Sequence, residues 1–507
     1  MLAHLTETQT ETRAIWYGSA ATPTYPVLNR DLEVDVAIIG GGLMGVTAAL
    51  ELRRSGVDVA LLERRFIASG DTGHTTAHVT ARPDVPLRDV MKHLGVEGAS
   101  QLWQAMNEAL VHVEARSEQL RVPLTRVDAW LFGKRAGLEA ELEALLSVGS
   151  SARIDASVAP FPFKFGLCVP QQARFDVAQY VRATLEQAER LGVKVFEQSA
   201  VISADGNDLQ VATHDGQYSV RAERVIIATH VPVFANPLLL DRLRADQSYA
   251  IAVAVGSGRA PDVLAEDDHN PYHYYRLERG AIRGHAMEDI VIFGGEDHAT
   301  GETSSAKRFG ALERELERWL PGVPHRPLRQ WSGELWTTAD GLPMIGEDDH
   351  GRFFGTGFAG VGMTQATAAG LMAADWVRGR GDTAWAKLFS PARFSAAELP
   401  GILQRGAGFV TNLVSSKLPR KRPTSEEIAP GNGAKVQTAS GVAAAYRDLG
   451  GHLHLLNPAC THAGCELQWN ATDRTWDCGC HGSRFMATGE VRSSPALQPM
   501  KKLEEKR

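Results

Sequence analysis

The chain has 507 residues, 44% of them apolar and 22% charged, with a formal net charge of −7. That length suits roughly three domains with large cores, and the mildly acidic balance without a basic stripe argues against nucleic acid as a partner. No stretch approaches the roughly 18 consecutive apolar residues of a membrane helix, so no membrane span and a cytoplasmic location are expected.

The opening residues, MLAHLTETQTETRAIWYGS, lack the basic-then-apolar order of a secretion signal. Residues 1–33 therefore read as a disordered or loosely docked leader. Next comes DVAIIGGGLMGVTAALELRRSGVDVALLER. Val34 to Ile39 is an apolar run suited to a buried parallel strand. Gly40, Gly42 and Gly45 make a G-x-G-x-x-G turn, in which Leu43 and Met44 open an amphipathic helix that runs to about Arg54. Gly56 ends that helix, Val57 to Leu62 is a second strand, and Glu63 and Arg64 follow it. Glycines let a backbone approach a pyrophosphate, a helix N-terminus offers unpaired N–H groups, and an acid at the second strand's end accepts from ribose hydroxyls. This unit predicts one dinucleotide seat, and Glu63 favours FAD or NAD over a 2′-phosphorylated nucleotide. Ser69, Thr72 and His74, in FIASGDTGHTTAHVT, follow directly and are expected beside the cofactor.

Further along, Val90 to Leu120 reads as helix, and Cys168 in FKFGLCVPQ as a buried core thiol. RAERVIIATH (221–230) reads as another strand of the nucleotide domain. The stretch HNPYHYYRLERGAIRGHAMEDIVIFGGEDHATG reads as antiparallel strands centred on IVIFGG. Tyr272, His273, Tyr274, Tyr275, Arg276 and His298 within it are candidates to line a substrate pocket, although tyrosines and histidines alternating along a strand are also ordinary half-buried sheet residues. Phe353 to Thr356 is then a strand running into a glycine-rich turn, with Gly360, Gly362, Met363 and Thr364 at the start of a small-residue helix.

The T-x-D-x-x-P-x-I-G pattern at Thr338 to Gly346 and G-x-G-M-T at Gly360 to Thr364 complete a resemblance. From about residue 34 to 385 the chain resembles the D-amino-acid-oxidase, or glycine-oxidase-like, FAD superfamily. That resemblance implies FAD, held by an α/β Rossmann-like domain into which an α+β substrate domain is inserted, here by segments at about 90–170 and 231–329. It also implies that N–H groups near Gly362 to Thr364 face the flavin, where they would stabilise negative charge. In the dimethylglycine and sarcosine dehydrogenase branch an S-G-x-x-x-H context carries a covalent flavin. Ser69, Gly70 and His74 match that spacing, which makes His74 a candidate tether, but Gly73 stands where the branch has tryptophan.

Residues 386–423 read as a linker, with a helical LPGILQRGAGFVTNLVSSK and the proline-broken basic run KLPRKRP. Four of the five cysteines come after it, in CTHAGCELQWNATDRTWDCGCHGS. Cysteines beside histidines point to a metal, and zinc is the simplest alternative, but zinc sites favour C-x-x-C pairs and none occurs here. Cys460-x-His462 and Cys478-x-x-His481 instead resemble the ligand loops of Rieske domains. The resemblance implies an all-β domain at about 424–507 whose [2Fe–2S] cluster has one iron on Cys460 and Cys478 and the other on His462 and His481. It further implies that Cys465 and Cys480 form the disulfide joining the two loops, and that the proline-containing GEVRSSPALQP lies over the cluster. Gly479 replaces the usual proline of the second loop and Phe485 the usual tyrosine, so a lower potential than that of the cytochrome-complex Rieske proteins is expected.

Together the two ends resemble glycine-oxidase-type FAD oxidoreductases with a C-terminal Rieske domain. The function this implies is a dehydrogenase of a small amine or N-methyl amino acid, passing electrons from flavin to the cluster and on to an external acceptor, protein or quinone. An electron-transfer reductase feeding a partner oxygenase is the alternative.

Overall fold

The computed structural model describes residues 14–16, 25–280, 288–302, 307–381, 384–393, 422–439 and 441–503. The expected helical and basic segments of the linker lie almost wholly outside these residues, as does most of the expected leader.

Among the described residues the nucleotide-binding half is built on an eight-stranded sheet. Leu32–Ile39 lies at its centre, parallel to Gln217–Ile227 on one side and Val59–Leu62 on the other. The central strands read as unbroken Val/Ile/Leu/Ala because both faces are covered. Helix Leu43–Arg54 packs on helix Gly362–Val377, and Gly370 allows the close approach: a Cβ there would lie 2.8 Å from the Met44 carbonyl oxygen. Phe353–Thr356 joins the sheet parallel to Gln217–Ile227 and delivers the chain to that second helix.

A nine-stranded, mostly antiparallel sheet forms the other large layer. Its strands come from residues 78–175 and 243–338. The longest contacts join Leu243–Gly256 to Glu288–Ala299 on one edge and to His325–Thr338 on the other. The strand His325–Thr338 runs past the Arg329 boundary expected for the inserted segment, and that extension carries it from the substrate side to the nucleotide side. Helix Leu87–Leu120 breaks its helical backbone at Gly95, whose φ is 67°.

The C-terminal part is all-β, with a three-stranded sheet (Gly433–Thr438, Gly441–Arg447, Leu453–Leu456) and a four-stranded one spanning Gln468 to Ser493. The described leader residues are docked rather than loose. Trp16 is 1% exposed, donates its indole N–H to the Thr75 carbonyl at 2.7 Å, and lies under the Arg276 guanidinium. No helix among the described residues is long and apolar enough to cross a membrane.

Candidate functional site

At the glycine-rich turn two of the glycines are forced by contact. Gly40 has φ +109°, and a Cβ on it would meet the Ala228 carbonyl oxygen at 2.5 Å; one on Gly45 would meet the Gly40 oxygen at 2.1 Å. Gly42 caps the helix without any side-chain cap, so the first N–H groups of the helix stay available to an anion. The Leu43 N–H is shared with the Thr72 hydroxyl at 3.1 Å. Glu63, at the end of its strand, accepts from the backbone N–H groups of Gly41 and Arg65, both at 2.8 Å.

Two cavities meet at this turn. One, of about 920 Å³, is lined by Gly40, Gly42, Glu63, Arg64, Ser69 and Thr72 among others. The second, of about 1140 Å³, runs from Gly42, Leu43, Met44, Thr72 and His74 to Gly360, Gly362 and Met363, and on to Ser248, Glu266, Tyr272 and Tyr274. Gly42, Asp71, Thr72, Ala228, His230 and Glu334 line both, so they form one elongated seat. An extended dinucleotide fits such a seat, with the G-x-G-x-x-G turn at its middle. Gly45 and Thr364 do not face it: Gly45 packs on the turn, and the Thr364 hydroxyl donates to the Thr80 carbonyl at 2.8 Å.

Of the six residues expected around a substrate, Tyr272 and Tyr274 line the large cavity, where the Tyr274 hydroxyl pairs with Ser248 at 2.9 Å, while His273 is buried against Asp267. Strand alternation turns Tyr275 to the opposite face, into an aromatic cluster with Phe161 and Trp319, its hydroxyl donating to the Pro261 carbonyl. Arg276 is fully buried and braces the cavity wall from behind, donating to the Thr76, Ala77 and Phe175 carbonyls and pairing with Glu278. His298 is buried away from the cavity against the Tyr249 hydroxyl at 2.9 Å.

Residues the sequence reading missed also fill the substrate end: Ser248, Asp84, Glu266, His78 and the Asp71–His230 pair. No local motif marks them, because they converge from segments far apart in the chain. Burial would raise the Asp71 carboxyl, but the hydrogen bond and charge of His230, and the Glu334 N–H, hold it well below the usual range. Burial lowers His74 to about 4, with help from the Arg492 charge, and lowers His78 to about 3, so both imidazoles are neutral at pH 7. Burial also pushes Glu334, at the junction of the two cavities, well above the usual carboxylate range.

The C-terminal loops bring Cys460, His462, Cys478 and His481 together. The two imidazoles sit edge to face with centroids 5.0 Å apart. Three sulfurs, those of Cys465, Cys478 and Cys480, lie within 4.8 Å of one another. Cys465 and Cys480 are joined by a disulfide, which leaves Cys478 as the ligand of that group. Cys460 and Cys478 share a hydrogen bond that draws the Cys460 thiol down and pushes Cys478 up; the His462 and Ala463 N–H groups and the Ser483 hydroxyl also favour the Cys460 thiolate. The buried Nδ1 of His462 has no hydrogen-bond partner among the described residues. Two sulfurs in a cradle of N–H groups beside an orphan imidazole nitrogen fit a [2Fe–2S] cluster of the Rieske kind. The proline-containing loop covers this end, with the Ala496 N–H donating to Ser483 Oγ at 3.0 Å and Thr461 to the Gln498 carbonyl at 2.6 Å.

The cluster loops face the rest of the protein. A Cβ on Gly482 would lie 2.7 Å from both Ala245 and the Trp336 indole, and one on Gly301 would lie 2.5 Å from the Gly479 nitrogen. Behind them Arg484, 2% exposed, binds Asp473 at 2.5 Å and Asp477 at 3.0 Å. Ser332 donates to Asp473 across the same seam.

Comparison with known proteins agrees with this construction. Residues 35–376 match the family model described as FAD dependent oxidoreductase (DAO), and residues 421–504 match the Rieske [2Fe-2S] domain. A Bacillus subtilis (strain 168) protein named as a Rieske 2Fe-2S iron-sulfur protein, YhfW, is 29% identical over 96% of this chain and 97% of its own length. Gamma-glutamylputrescine oxidoreductase of Escherichia coli (strain K12) is 22% identical over 73% of this chain and 90% of its own. The crystal structure of glycine oxidase from Geobacillus kaustophilus superposes with a TM-score of 0.59 at 18% identity, covering 72% of this chain and all of that one. The chain belongs to the DAO family of FAD-dependent oxidoreductases and carries a C-terminal Rieske [2Fe–2S] domain.

Proposed function

We propose that this protein is a dehydrogenase of a small amine or N-methyl amino acid whose electrons leave through its own Rieske domain to an external acceptor, protein or quinone. Bound FAD supplies a two-electron acceptor for a C–H bond beside nitrogen, and the cluster supplies a one-electron relay. The observation that carries the reading is the shared strand His325–Thr338. Its residues Trp331, Gly333, Glu334 and Leu335 line the large cavity, and Trp336, next along, touches the second ligand loop at Gly482. An oxidase that returns its electrons to dioxygen has no use for such a contact.

The chain's own groups suit an amine. Asp84 and Glu266 line the substrate end, and among the described residues of that cavity there is no lysine or arginine. The nearby guanidinium of Arg82 is paired with Glu266. A protonated amine is attracted to such carboxylates, and the hydroxyls of Ser248, Tyr272 and Tyr274 offer neutral hydrogen bonds beside them. His78, neutral and edge-on to Tyr274, presents a buried Nε2 with no hydrogen-bond partner among the described residues. It is placed to hydrogen-bond the substrate. The N-terminal turn of helix Gly362–Val377 directs its N–H groups toward the same cavity.

Anaerobic mixing with a panel of small amines tests this: the flavin bleaches, and the cluster's electron paramagnetic resonance signal then grows. A cluster that stays oxidised beside fully reduced flavin sinks the reading, and bleaching by NADH alone favours the reductase. Trp336→Leu is expected to delay the cluster signal several-fold relative to flavin bleaching in the same sample, because it opens a gap in the packed contact. The tether is tested separately. His74 lines the large cavity. If it carries the flavin, acid-denatured protein retains its yellow colour and His74→Ala releases it; free FAD from the unaltered chain refutes the bond.

A further inference from the structure

The nucleotide cavity has a wall that the FAD domain does not supply. Arg492, Ser493 and Ser494, from the C-terminal domain, line it together with Gly40, Gly42 and Arg64. They belong to the proline-containing loop whose other residues cover the cluster.

Three guanidinium groups reach this cavity, and two of them are occupied. Arg64 donates to the Ala496 carbonyl at 3.3 Å and Arg65 to the Ser69 carbonyl at 2.8 Å. Among the described residues none of the three is in an ion pair, and Arg492 alone has no hydrogen bond to a protein oxygen. The carboxylates whose charge it feels, Asp473 and Asp477, are held by Arg484. A half-buried cation beside two other arginines, without a carboxylate of its own, is costly unless an anion joins it. Its position points to which anion. It lines the nucleotide cavity together with Gly40 and Gly42 of the glycine-rich turn and Thr72 beside it. There the open N-terminus of helix Leu43–Arg54 offers its own N–H groups.

We propose that Arg492 binds the pyrophosphate of FAD, so that the Rieske domain completes the flavin site. Flavin binding and docking of the C-terminal domain are then linked. The nucleotide is held from one side by the glycine-rich turn and from the other by the loop that covers the cluster, and losing either partner weakens the hold on the other.

The test uses the full-length chain with its cluster, freed of flavin; if denaturation shows FAD to be attached, His74→Ala serves as the background. FAD affinity is read by quenching of flavin fluorescence, with ADP and adenosine as competing probes. Arg492→Met raises the FAD dissociation constant about tenfold, as loss of one charge-assisted contact should. It weakens ADP in step and leaves adenosine unchanged, and Arg492→Lys recovers part of the loss. The cluster's circular dichroism is the same in all of them. If Arg492→Met loses its cluster, Arg492→Gln, which keeps the stem and a hydrogen-bonding head, carries the comparison. FAD and ADP affinities within about twofold of the unaltered chain overturn the proposal. Equal weakening of ADP and adenosine overturns it too, since that is the mark of a damaged fold rather than a lost anion contact. Neither outcome touches the route of electrons proposed above.

Discussion

Cys460→Ser is expected to strip the protein of iron and acid-labile sulfide while leaving the yellow flavin in place. Cys460 is 3% exposed, and its sulfur lies where the His462 and Ala463 N–H groups, the Cys478 thiol and the Ser483 hydroxyl all converge. A serine oxygen is shorter-reaching and harder than a thiolate, so it neither fills that cradle nor holds an iron of this type. The glycine-rich turn that seats FAD lies outside the two cluster loops and is untouched by the substitution. Under the proposed function, an amine that bleaches the flavin of the unaltered protein also bleaches that of the variant, but turnover with a one-electron acceptor falls to background. Metal analysis and anaerobic spectra check both halves. Retention of iron would mean that Cys460 is not a ligand, and undiminished turnover would mean that electrons leave by another route.

Gly45→Val has the second large expected effect, on the other cofactor. The position has an ordinary backbone conformation, so the constraint is contact rather than strain. A Cβ would sit 2.1 Å from the Gly40 carbonyl oxygen and 3.3 Å from the Ile38 methyl. Both neighbours belong to the central strand and its turn, which cannot yield without dragging the sheet, so overpacking here costs about 3 kcal/mol or more. The helix N-terminus shifts away from the turn, and FAD is lost together with solubility. Gly42→Ala is the informative contrast. Its Cβ would meet only the Thr72 hydroxyl, at 3.1 Å, a side chain that can rotate away. That variant is expected to fold with weakened flavin retention. Flavin content per chain and thermal melting separate the two, and equal behaviour would show that the turn does not depend on the Gly45 contact.

The elements read in chain order differ in how far local sequence could carry them. The strand-turn-helix around Gly40 to Gly45 and the two cysteine–histidine loops are short-range constructions. Their residue types and spacings are demanded by chemistry within one or two turns of chain. The Cys465–Cys480 disulfide, implied by resemblance, is present at an S–S distance of 2.05 Å. The run of tyrosines at 272–275 was harder. Alternation along a strand says that Tyr274 and Tyr275 face opposite ways, but not which way holds the cavity. That depended on the neighbouring strand Glu288–Ala299 and on the helix Arg308–Trp319 that buries Tyr275. Arg276 and His298 were drawn off by partners far away in sequence, the Thr76 carbonyl and the Tyr249 hydroxyl.

By itself the sequence determined that two redox centres share one polypeptide, because both centres are announced by residues that must be near neighbours in the chain. Only the tertiary structure decided how those centres meet. Trp336 reaches Gly482, and Arg492 reaches the nucleotide cavity, across more than 100 residues of intervening chain. Contacts of that kind follow from how buried surfaces pack and how buried charges find partners. They leave no spacing in the sequence to be read.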